Sequence, residues 1–209
     1  MTTSAAVTLR SVSAAHGVTR DRPIDLDIRP GARVWISGPS GVGKTSLLYV
    51  LGALTLARSG SVTVGGIEVT SNAVADGVRR RQVGFVLQDA QLIEHWSIER
   101  NLATMAGDEH ASDALRRLEA WGVPVTGRPP RALSGGERQR VVTAGALAKR
   151  AAVIVADEPT SSLDETSRDG VIASFHEASE AGAAVVVSSH DPAWDAWATQ
   201  RVRLGADRG

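Results

Sequence analysis

Cysteine is absent from this sequence of 209 residues. Its absence excludes a disulfide framework and a thiolate metal site, and it fits a reducing compartment, so that the cytoplasm is the expected location. An excess of charge of either sign is lacking too, because 23 lysines and arginines balance 23 aspartates and glutamates. This balance argues mildly against a surface for nucleic acid or anionic lipid, although it does not rule out local charged patches.

The sequence also lacks long hydrophobic runs. Residues 1–15 show no basic segment followed by a long apolar one, and no later stretch approaches ~18 uninterrupted apolar residues. We therefore expect neither a signal peptide nor a membrane-spanning helix. The hydrophobic content of 43% is nevertheless high enough for one well-buried domain.

Lysine is nearly missing. Lys44 and Lys149 stand against 21 arginines, so that most basic positions have tolerated arginine. A lysine that remains in such a sequence indicates a site that requires lysine, because the compact ammonium group and the planar guanidinium group bind differently.

Short β-rich runs alternate with longer helical patterns along the chain. The predicted strands are residues 7–12, 24–28, 33–37, 83–87, 153–157, 184–188 and about 201–204, with a hairpin over 61–69. The predicted helices are residues 43–54, 98–121, one that begins within 132–141, 166–180 and a short one around 194. This alternation predicts an α/β fold with a mainly parallel sheet, a separate antiparallel layer at the N-terminal end, and a ligand outside the carboxyl ends of the strands.

Pro124, Pro129 and Pro130 interrupt the helical pattern in the middle of the chain. We predict a single domain over residues 1–209, whose core comprises about 1–89 and 151–209. Residues 90–150 are predicted to form a small helical subdomain.

A glycine-rich loop follows the predicted strand 33–37 and opens the next helix. It fits the pattern G-x-x-x-x-G-K-S/T with Gly38, Pro39, Ser40, Gly41, Val42, Gly43, Lys44 and Thr45, and Ser46 follows it. Glycines let such a loop wrap closely around phosphate, so that backbone N–H groups and the helix N-terminus face the anion. Lys44 is expected to reach the β- and γ-phosphates and Thr45 to hold Mg²⁺. The alternative is a chance match by a glycine-rich turn.

Two carboxylates, Asp157 and Glu158, end the apolar run 153–156. At the carboxyl end of a buried strand, Asp157 is expected to lie within reach of the Mg²⁺ shell, with Glu158 beside it to polarise a water molecule. An ordinary strand end is the alternative, and the phosphate loop upstream favours the functional interpretation.

The stretch ALSGGERQRV, residues 132–141, places Ser134, Gly135 and Gly136 immediately before a charged helical pattern. These residues suit the presentation of N–H groups to an anion at a helix start. The alternative is a capping box, in which Ser134 and Glu137 satisfy the first turn of their own helix. Both interpretations hold together, because a cap and an anion site use the same donors.

In combination, these segments resemble the ABC-type ATPases, the nucleotide-binding subunits of ATP-binding-cassette transporters. The resemblance rests on the phosphate loop, Gln88 after VGFVLQ, LSGGERQR at 133–140, DEPTSSLD at 157–164, and His190 after VVVSS, in this order over nearly the whole chain. It is greatest to the small ATPases of exporter, lipoprotein-release and mechanotransmission systems. It implies a P-loop NTPase core of the architecture predicted above.

The resemblance also implies roles for individual residues. Ser134, Gly135, Gly136 and Glu137 would close over ATP bound by a partner subunit. Gln88 would sense Mg²⁺ and the attacking water, and His190 would contact the γ-phosphate, unless it is only a loop histidine. Asp164 would cross the dimer interface, in addition to a plain role as a helix N-cap.

Two positions depart from the family pattern. His16 stands where the family usually has an aromatic residue that stacks on adenine, and Gly145 stands where most relatives have arginine. A neutral imidazole can stack on adenine, though less well than the usual aromatic residue. A glycine within a helix is unfavourable by ~1 kcal/mol relative to alanine.

The resemblance predicts an ATP-hydrolysing subunit that binds ATP and Mg²⁺, forms a homodimer or a heterodimer with a second ATPase, and drives separate integral membrane permease subunits. It would lie on the cytoplasmic face of the membrane through its permease, without a nucleic-acid partner. A short permease helix would enter a groove beside Gln88, in the segment 90–96, where Leu92, Ile93 and Trp96 either line the groove or belong to the core. The alternatives are a soluble ABC-type ATPase that acts on DNA or ribosomes, and a phosphate-loop kinase, which leaves LSGGERQR and SSLD unexplained.

Overall fold

Two β-sheets and seven α-helices make up the part of the chain that the computed structural model describes, residues 5–89, 91–125 and 127–205. The strands are β1 (Val7–Ser13), β2 (Ile24–Ile28), β3 (Arg33–Ser37), β4 (Ser59–Val64), β5 (Ile67–Glu68), β6 (Val83–Val86), β7 (Val153–Asp157), β8 (Ala184–Ser188) and β9 (Gln200–Arg203). The helices are α1 (Lys44–Leu51), α2 (Asn72–Gln82), α3 (Ile98–Ala106), α4 (Ala111–Ala120), α5 (Gly135–Ala148), α6 (Glu165–Glu180) and α7 (Ala193–Trp197). The predicted α/β fold class is confirmed.

The parallel sheet has the strand order β6-β7-β8-β3-β9. Every residue of β7 and β8 is buried, as expected for central strands of a sheet that is covered on both faces. Side chains alternate between those faces, so that Val153 and Val155 enter one hydrophobic cluster while Ile154 and Ala156 enter the other. The strands end together at one edge, where Asp157 pairs with Ser188.

The antiparallel sheet has the order β2-β1-β4-β5 and forms the predicted N-terminal layer. The predicted hairpin is β4 and β5, joined by Gly65 and Gly66, both with positive φ of 56° and 78°. Positive φ at both positions is what a two-residue hairpin turn requires. Buried side chains of this sheet pack with α1 and the near face of the parallel sheet in one cluster.

The helices α3, α4 and α5 pack together on the opposite face of the parallel sheet and share its second cluster. The helical pattern predicted over 98–121 is divided, because α3 ends at Ala106, before Gly107 with its φ of 91°, and a short 3-10 turn, Asp108–His110, precedes α4. Helix α2 was not predicted; Ser71 caps it by accepting a hydrogen bond from Val74 N at 3.4 Å.

Gly145 lies where α5 packs against α3. A Cβ atom at this position would meet Met105 Sδ at 2.9 Å and Met105 Cβ at 3.1 Å. The packing of α3 therefore explains the small residue in α5, and it leaves no room for an arginine.

Lys149, the second lysine of the chain, follows α5 and forms hydrogen bonds with both the last turn of α2 and the start of β6. Its ammonium group donates to Arg79 O at 2.8 Å and to Val83 O at 2.7 Å. Burial lowers its pKa. Its contacts suit the ammonium group, which agrees with the inference drawn from the rarity of lysine.

We predict that Lys149→Met lowers the free energy of unfolding by about 1–3 kcal/mol, because two partly buried carbonyl groups lose their donor. Urea denaturation followed by circular dichroism measures the effect. Arg150→Met is the matched control, since the Arg150 side chain is 68% exposed. An unchanged midpoint for Lys149→Met would show that water replaces the ammonium group without loss.

Within the residues that the structure describes, we find no helix that combines the length and the apolar character needed to cross a bilayer.

Candidate functional site

The glycine-rich loop joins the carboxyl end of β3 to the first turn of α1. Gly43 caps α1 with a left-handed φ of 104°. A Cβ atom there would meet Gly17 Cα at 2.8 Å and His16 O at 2.9 Å, so that only glycine lets the segment 16–17 approach the loop this closely. The approach is fixed by a hydrogen bond of 2.9 Å from Val18 N to Val42 O. The exposed His16 therefore lies beside the loop.

Lys44 is buried within this loop, with 8% of the residue exposed. Its Nζ atom donates to Gly38 O at 3.0 Å and to Pro39 O at 3.2 Å, and it lies 3.0 Å from His190 Nε2. An ammonium group can only donate, so His190 Nε2 is the acceptor in this contact. The structure thus brings together a lysine and a histidine that lie 146 residues apart in sequence.

Asp157 is buried at the end of β7, with 4% of the residue exposed. Thr45 Oγ1 donates to Asp157 Oδ2 at 2.8 Å, and the hydroxyl of Ser188 donates to Oδ1. A carboxylate and a hydroxyl in contact are hard oxygen donors of the kind that Mg²⁺ prefers, together with substrate phosphates. These residues therefore fit a Mg²⁺ ion.

Glu158 is held in an unusual backbone conformation, with φ at 46°. Its N–H group donates to Ser188 O at 2.9 Å, while its carboxylate accepts from Ser189 Oγ at 2.9 Å and from His190 N at 3.1 Å. The backbone hydrogen bond thus fixes the residue against the end of β8, and the two hydrogen bonds from Ser189 and His190 fix the direction of its side chain. Non-glycine residues with positive φ concentrate at functional sites, where surrounding contacts impose the strain.

Ser188 and Ser189 were not singled out from the sequence, although they orient both carboxylates. The signal was present in VVVSSH, because residues at the carboxyl ends of neighbouring parallel strands lie at the same edge of the sheet.

Ser134 and Glu137 form a complete capping box at the start of α5. Ser134 Oγ accepts from Glu137 N at 3.3 Å, and Ser134 N donates to Glu137 Oε2 at 2.7 Å. The expected cap is therefore confirmed. Neither bond uses the N–H groups of Gly135 or Gly136, and Ser134 and Gly135 are exposed. The expectation that the cap and the anion site use the same donors is therefore wrong, because the cap takes the N–H groups of Ser134 and Glu137 instead.

Arg128 stabilises this cap through Glu137. Its guanidinium group forms an ion pair with Glu137 at 2.7 Å. The hydrogen bond from Arg128, followed by that from the backbone of Ser134, lowers the pKa of Glu137 from 4.5 to about 2. A lowered pKa in the folded state gives stability that is present above the unfolded value near 4.5 and is lost as the pH falls towards about 2.

We predict that the free energy of unfolding depends less steeply on pH between about 4.5 and 2 in Glu137→Gln than in the unmodified chain. Denaturant titrations at several pH values measure this slope. Glu119→Gln, which replaces an exposed glutamate of α4, is the control and should keep the slope. Equal slopes for all three proteins would contradict the assignment.

Asp164 caps α6 as expected, since Oδ1 accepts from Ser167 N at 2.9 Å. The hydrogen bond from the backbone N–H of Ser167 is the main cause that lowers the pKa of this carboxyl, and the hydrogen bond from the Ser167 hydroxyl lowers it further.

Gln88 is exposed and lies two residues after the end of β6. Ala90, which is part of the predicted groove segment, lies outside the described residues.

The predicted groove residues divide between the core and the surface. Leu92 is buried in the hydrophobic cluster of the helices, so for this residue the core interpretation holds. Ile93 is 38% exposed, and the partly buried Trp96 carries the Arg100 guanidinium group 4.2 Å from its ring centroid.

The remaining predicted binding residues lie in or beside the loop between β3 and α1. They are Pro39, Ser40, Gly41, Val42 and Ser46.

Comparison with known proteins agrees with this geometry. The family model described as ABC transporter matches residues 22–161. The chain is 40% identical over 179 residues to the macrolide export ATP-binding/permease protein MacB of Escherichia coli K12, and 38% identical to that of Shigella flexneri. These matches cover 81% of this chain and 28% of each relative, so that the chain spans little more than a quarter of their length.

Two solved structures share the fold over almost their whole length. They are dimeric structures of the ABC cassette MJ0796, one of them in a post-hydrolysis state with ADP and phosphate. Each superposes with a TM-score of 0.84 at 28% identity, over 95% of this chain and 94% of the other. This chain therefore belongs to the ABC transporter family and has the fold of its ATP-binding cassettes.

Proposed function

We propose that the chain binds and hydrolyses ATP with Mg²⁺ in a cassette dimer and that it drives integral membrane permease subunits. The observation that carries the proposal is the meeting of Lys44, Thr45, Asp157, Glu158 and His190 at the carboxyl ends of β3, β7 and β8. An open α/β sheet binds its ligand at this edge.

ATP would lie in the loop 38–45, with its phosphates facing the backbone N–H groups at the start of α1. Lys44 would exchange its contacts with Gly38 O, Pro39 O and His190 for contacts with β- and γ-phosphate oxygens. His190, released from Lys44, would then adopt the tautomer with the proton on Nε2 and donate a hydrogen bond to the γ-phosphate from the same side. His16 would take the adenine end.

Thr45 and Asp157 would hold Mg²⁺, with Gln88 as a further ligand on the solvent side. The ion would neutralise charge on the β- and γ-phosphates during transfer. Because Asp157 already receives two hydroxyl hydrogen bonds, its oxygens are oriented before any ion binds.

Glu158 would orient the water that attacks the γ-phosphorus in line and would accept its proton. Ser189 and the backbone N–H of His190 keep the carboxylate in one position, so that little rearrangement is needed at the moment of reaction.

The second half of the site would come from a partner cassette. The N–H groups of Gly135 and Gly136 and the hydroxyl of Ser134 would contact the γ-phosphate of the partner's ATP, with Glu137 holding the turn and Asp164 crossing the interface. The dimeric state of the MJ0796 structures supports this arrangement. The partner would be a second copy or a different ATPase of the same type.

A membrane partner is supported by the relatives, which are named ATP-binding/permease proteins. These names favour a transporter over the alternative of an ATPase for DNA or ribosomes. The exposed Ile93 and the half-buried Trp96 are the surface that a permease helix would contact, which would place the chain on the cytoplasmic face of the membrane.

We predict that Asp157→Asn lowers kcat for ATP hydrolysis by at least about a hundredfold and raises the Mg²⁺ concentration needed for half-maximal activity. Phosphate release against Mg²⁺ concentration measures both effects. Asp169→Asn, at a side chain 63% exposed on α6, is the control. An unmodified chain that neither binds ATP nor releases phosphate with Mg²⁺ would overturn the proposed function.

A further inference from the structure

The start of α5 contacts the segment that leads into α6 at two points. A Cβ atom at Gly136 would lie 3.1 Å from Ser162 O, which shows how closely the two backbones approach. One helical turn later, Arg140 Nη1 donates to Ser167 Oγ at 2.5 Å. The first contact joins the serine–glycine turn, residues 134–136, to the loop that leads to Asp164, and the second joins the next turn of α5 to the first turn of α6.

The second contact continues as a chain of hydrogen bonds. The hydroxyl of Ser167 donates to Asp164 Oδ2 at 3.0 Å, while Ser167 N donates to Oδ1 at 2.9 Å. A hydroxyl has one proton and two lone pairs, so Ser167 can accept from Arg140 and donate to Asp164 at the same time. Arg140 is therefore connected to Asp164 through one side chain.

The position of Arg140 is not explained by its own hydrogen bonding. Its Nε–H group is buried and finds no acceptor within the described residues. A buried donor without a partner is unfavourable, and such a group in a native structure calls for a reason other than stability. The positive charge also acts on Asp164, since Arg140 is among the groups that lower the pKa of this carboxyl, after the hydrogen bonds of Ser167.

We propose that Arg140 is a positioning residue that joins the serine–glycine turn to Asp164 through Ser167, so that both move as one unit when the turn engages the ATP of a partner. This inference rests on the proposed function, because it requires a dimer closed over ATP. Loss of the link would leave ATP binding by the chain's own loop unchanged. It would weaken closure of the dimer, because the turn and Asp164 would then have to be ordered separately.

The test uses the full chain with Glu158→Gln, in which hydrolysis is blocked, as the parent. Four variants are made in this parent. They carry Arg140→Met, Ser167→Ala, both of these changes together, or Ser167→Thr, which keeps the hydroxyl. Light scattering measures the ATP concentration for half-maximal dimer formation with Mg²⁺. A fluorescent ATP analogue at protein concentrations below dimer formation measures binding to the single chain.

We expect Arg140→Met and Ser167→Ala each to raise the ATP concentration for half-dimerisation by about tenfold, as for loss of a hydrogen bond to a charged group. The double variant should be no worse than either single variant, because both changes break the same connection. Ser167→Thr should restore the parent value, and Arg116→Met, on the exposed face of α4, should leave it unchanged. Affinity of the single chain for the analogue should not move.

Additive effects of the two changes, or equal dimerisation of Arg140→Met and the parent, would overturn this inference and leave the proposed function intact. A fall in the affinity of the single chain that matches the dimerisation defect would also overturn it, because it would indicate general structural damage. A parent that forms no dimer with ATP would overturn the proposed function as well.

Discussion

Glu158→Gln should abolish phosphate release while leaving ATP binding intact. Glutamine has the shape of glutamate and keeps an oxygen that can accept from Ser189 Oγ or His190 N, so the local structure should survive. A neutral amide cannot take a proton from water, and loss of a positioned base lowers a rate by about 10²–10⁴-fold. The effect falls on kcat, because the Glu158 carboxylate accepts its hydrogen bonds from Ser189 and His190, which lie outside the phosphate loop.

The same variant should accumulate as a dimer when ATP and Mg²⁺ are present, since the ATP that joins two cassettes is no longer consumed. Size-exclusion chromatography with light scattering detects this dimer, and a phosphate assay measures the rate. Glu180→Gln, at a side chain 69% exposed at the far end of α6, should behave like the unmodified chain. Near-normal phosphate release by Glu158→Gln would remove Glu158 from the role of base.

Mixing two inactive variants should restore activity. Lys44→Ala removes the ammonium group that the phosphate loop supplies, and Ser134→Tyr blocks the serine–glycine turn with a bulky side chain at an exposed position. Each variant alone should hydrolyse ATP at least about a hundredfold more slowly than the unmodified chain. In a mixed dimer, the intact loop of the second variant faces the intact turn of the first, so that one complete site forms.

Random pairing makes half of the dimers mixed, and each mixed dimer has one complete site of two. Equal mixing should therefore recover up to about a quarter of the unmodified rate in a symmetric dimer. Phosphate release measured against the mixing ratio should peak at equal amounts. If Lys44 and Ser134 served the same ATP within one chain, every mixture would remain inactive.

Features that depend on neighbouring residues in sequence could be predicted before the structure was known. The phosphate loop, the acidic pair at the end of β7 and the capping box of Ser134 each follow from local backbone requirements. β7 and β8 have their predicted ends because continuous apolar runs mark strands that are buried on both faces. Helix α2 was missed because its arginine-rich sequence offers only a narrow apolar face, formed by Ala75 and Val78.

Features that depend on distant parts of the chain could not be predicted in this way. The contact of Lys44 with His190 follows from the position of β3 beside β8, which strand order alone decides. The ion pair of Arg128 with Glu137 and the contact of Arg140 with Ser167 require the mutual packing of separate elements. The small residue at Gly145 is explained only when Met105 of α3 is seen beside it.

The left-handed backbone conformation of Glu158 lowers the stability of the fold at a residue that the proposed activity requires. A φ of 46° is unfavourable for glutamate, by about 1–3 kcal/mol, whereas glycine and asparagine adopt such angles more readily. Selection for thermal stability alone would therefore favour those replacements and would yield a more stable cassette that lacks the proposed base. A stabilised variant that is meant to keep the proposed activity should therefore retain Glu158 in its strained conformation, and its gain in stability must come from other positions.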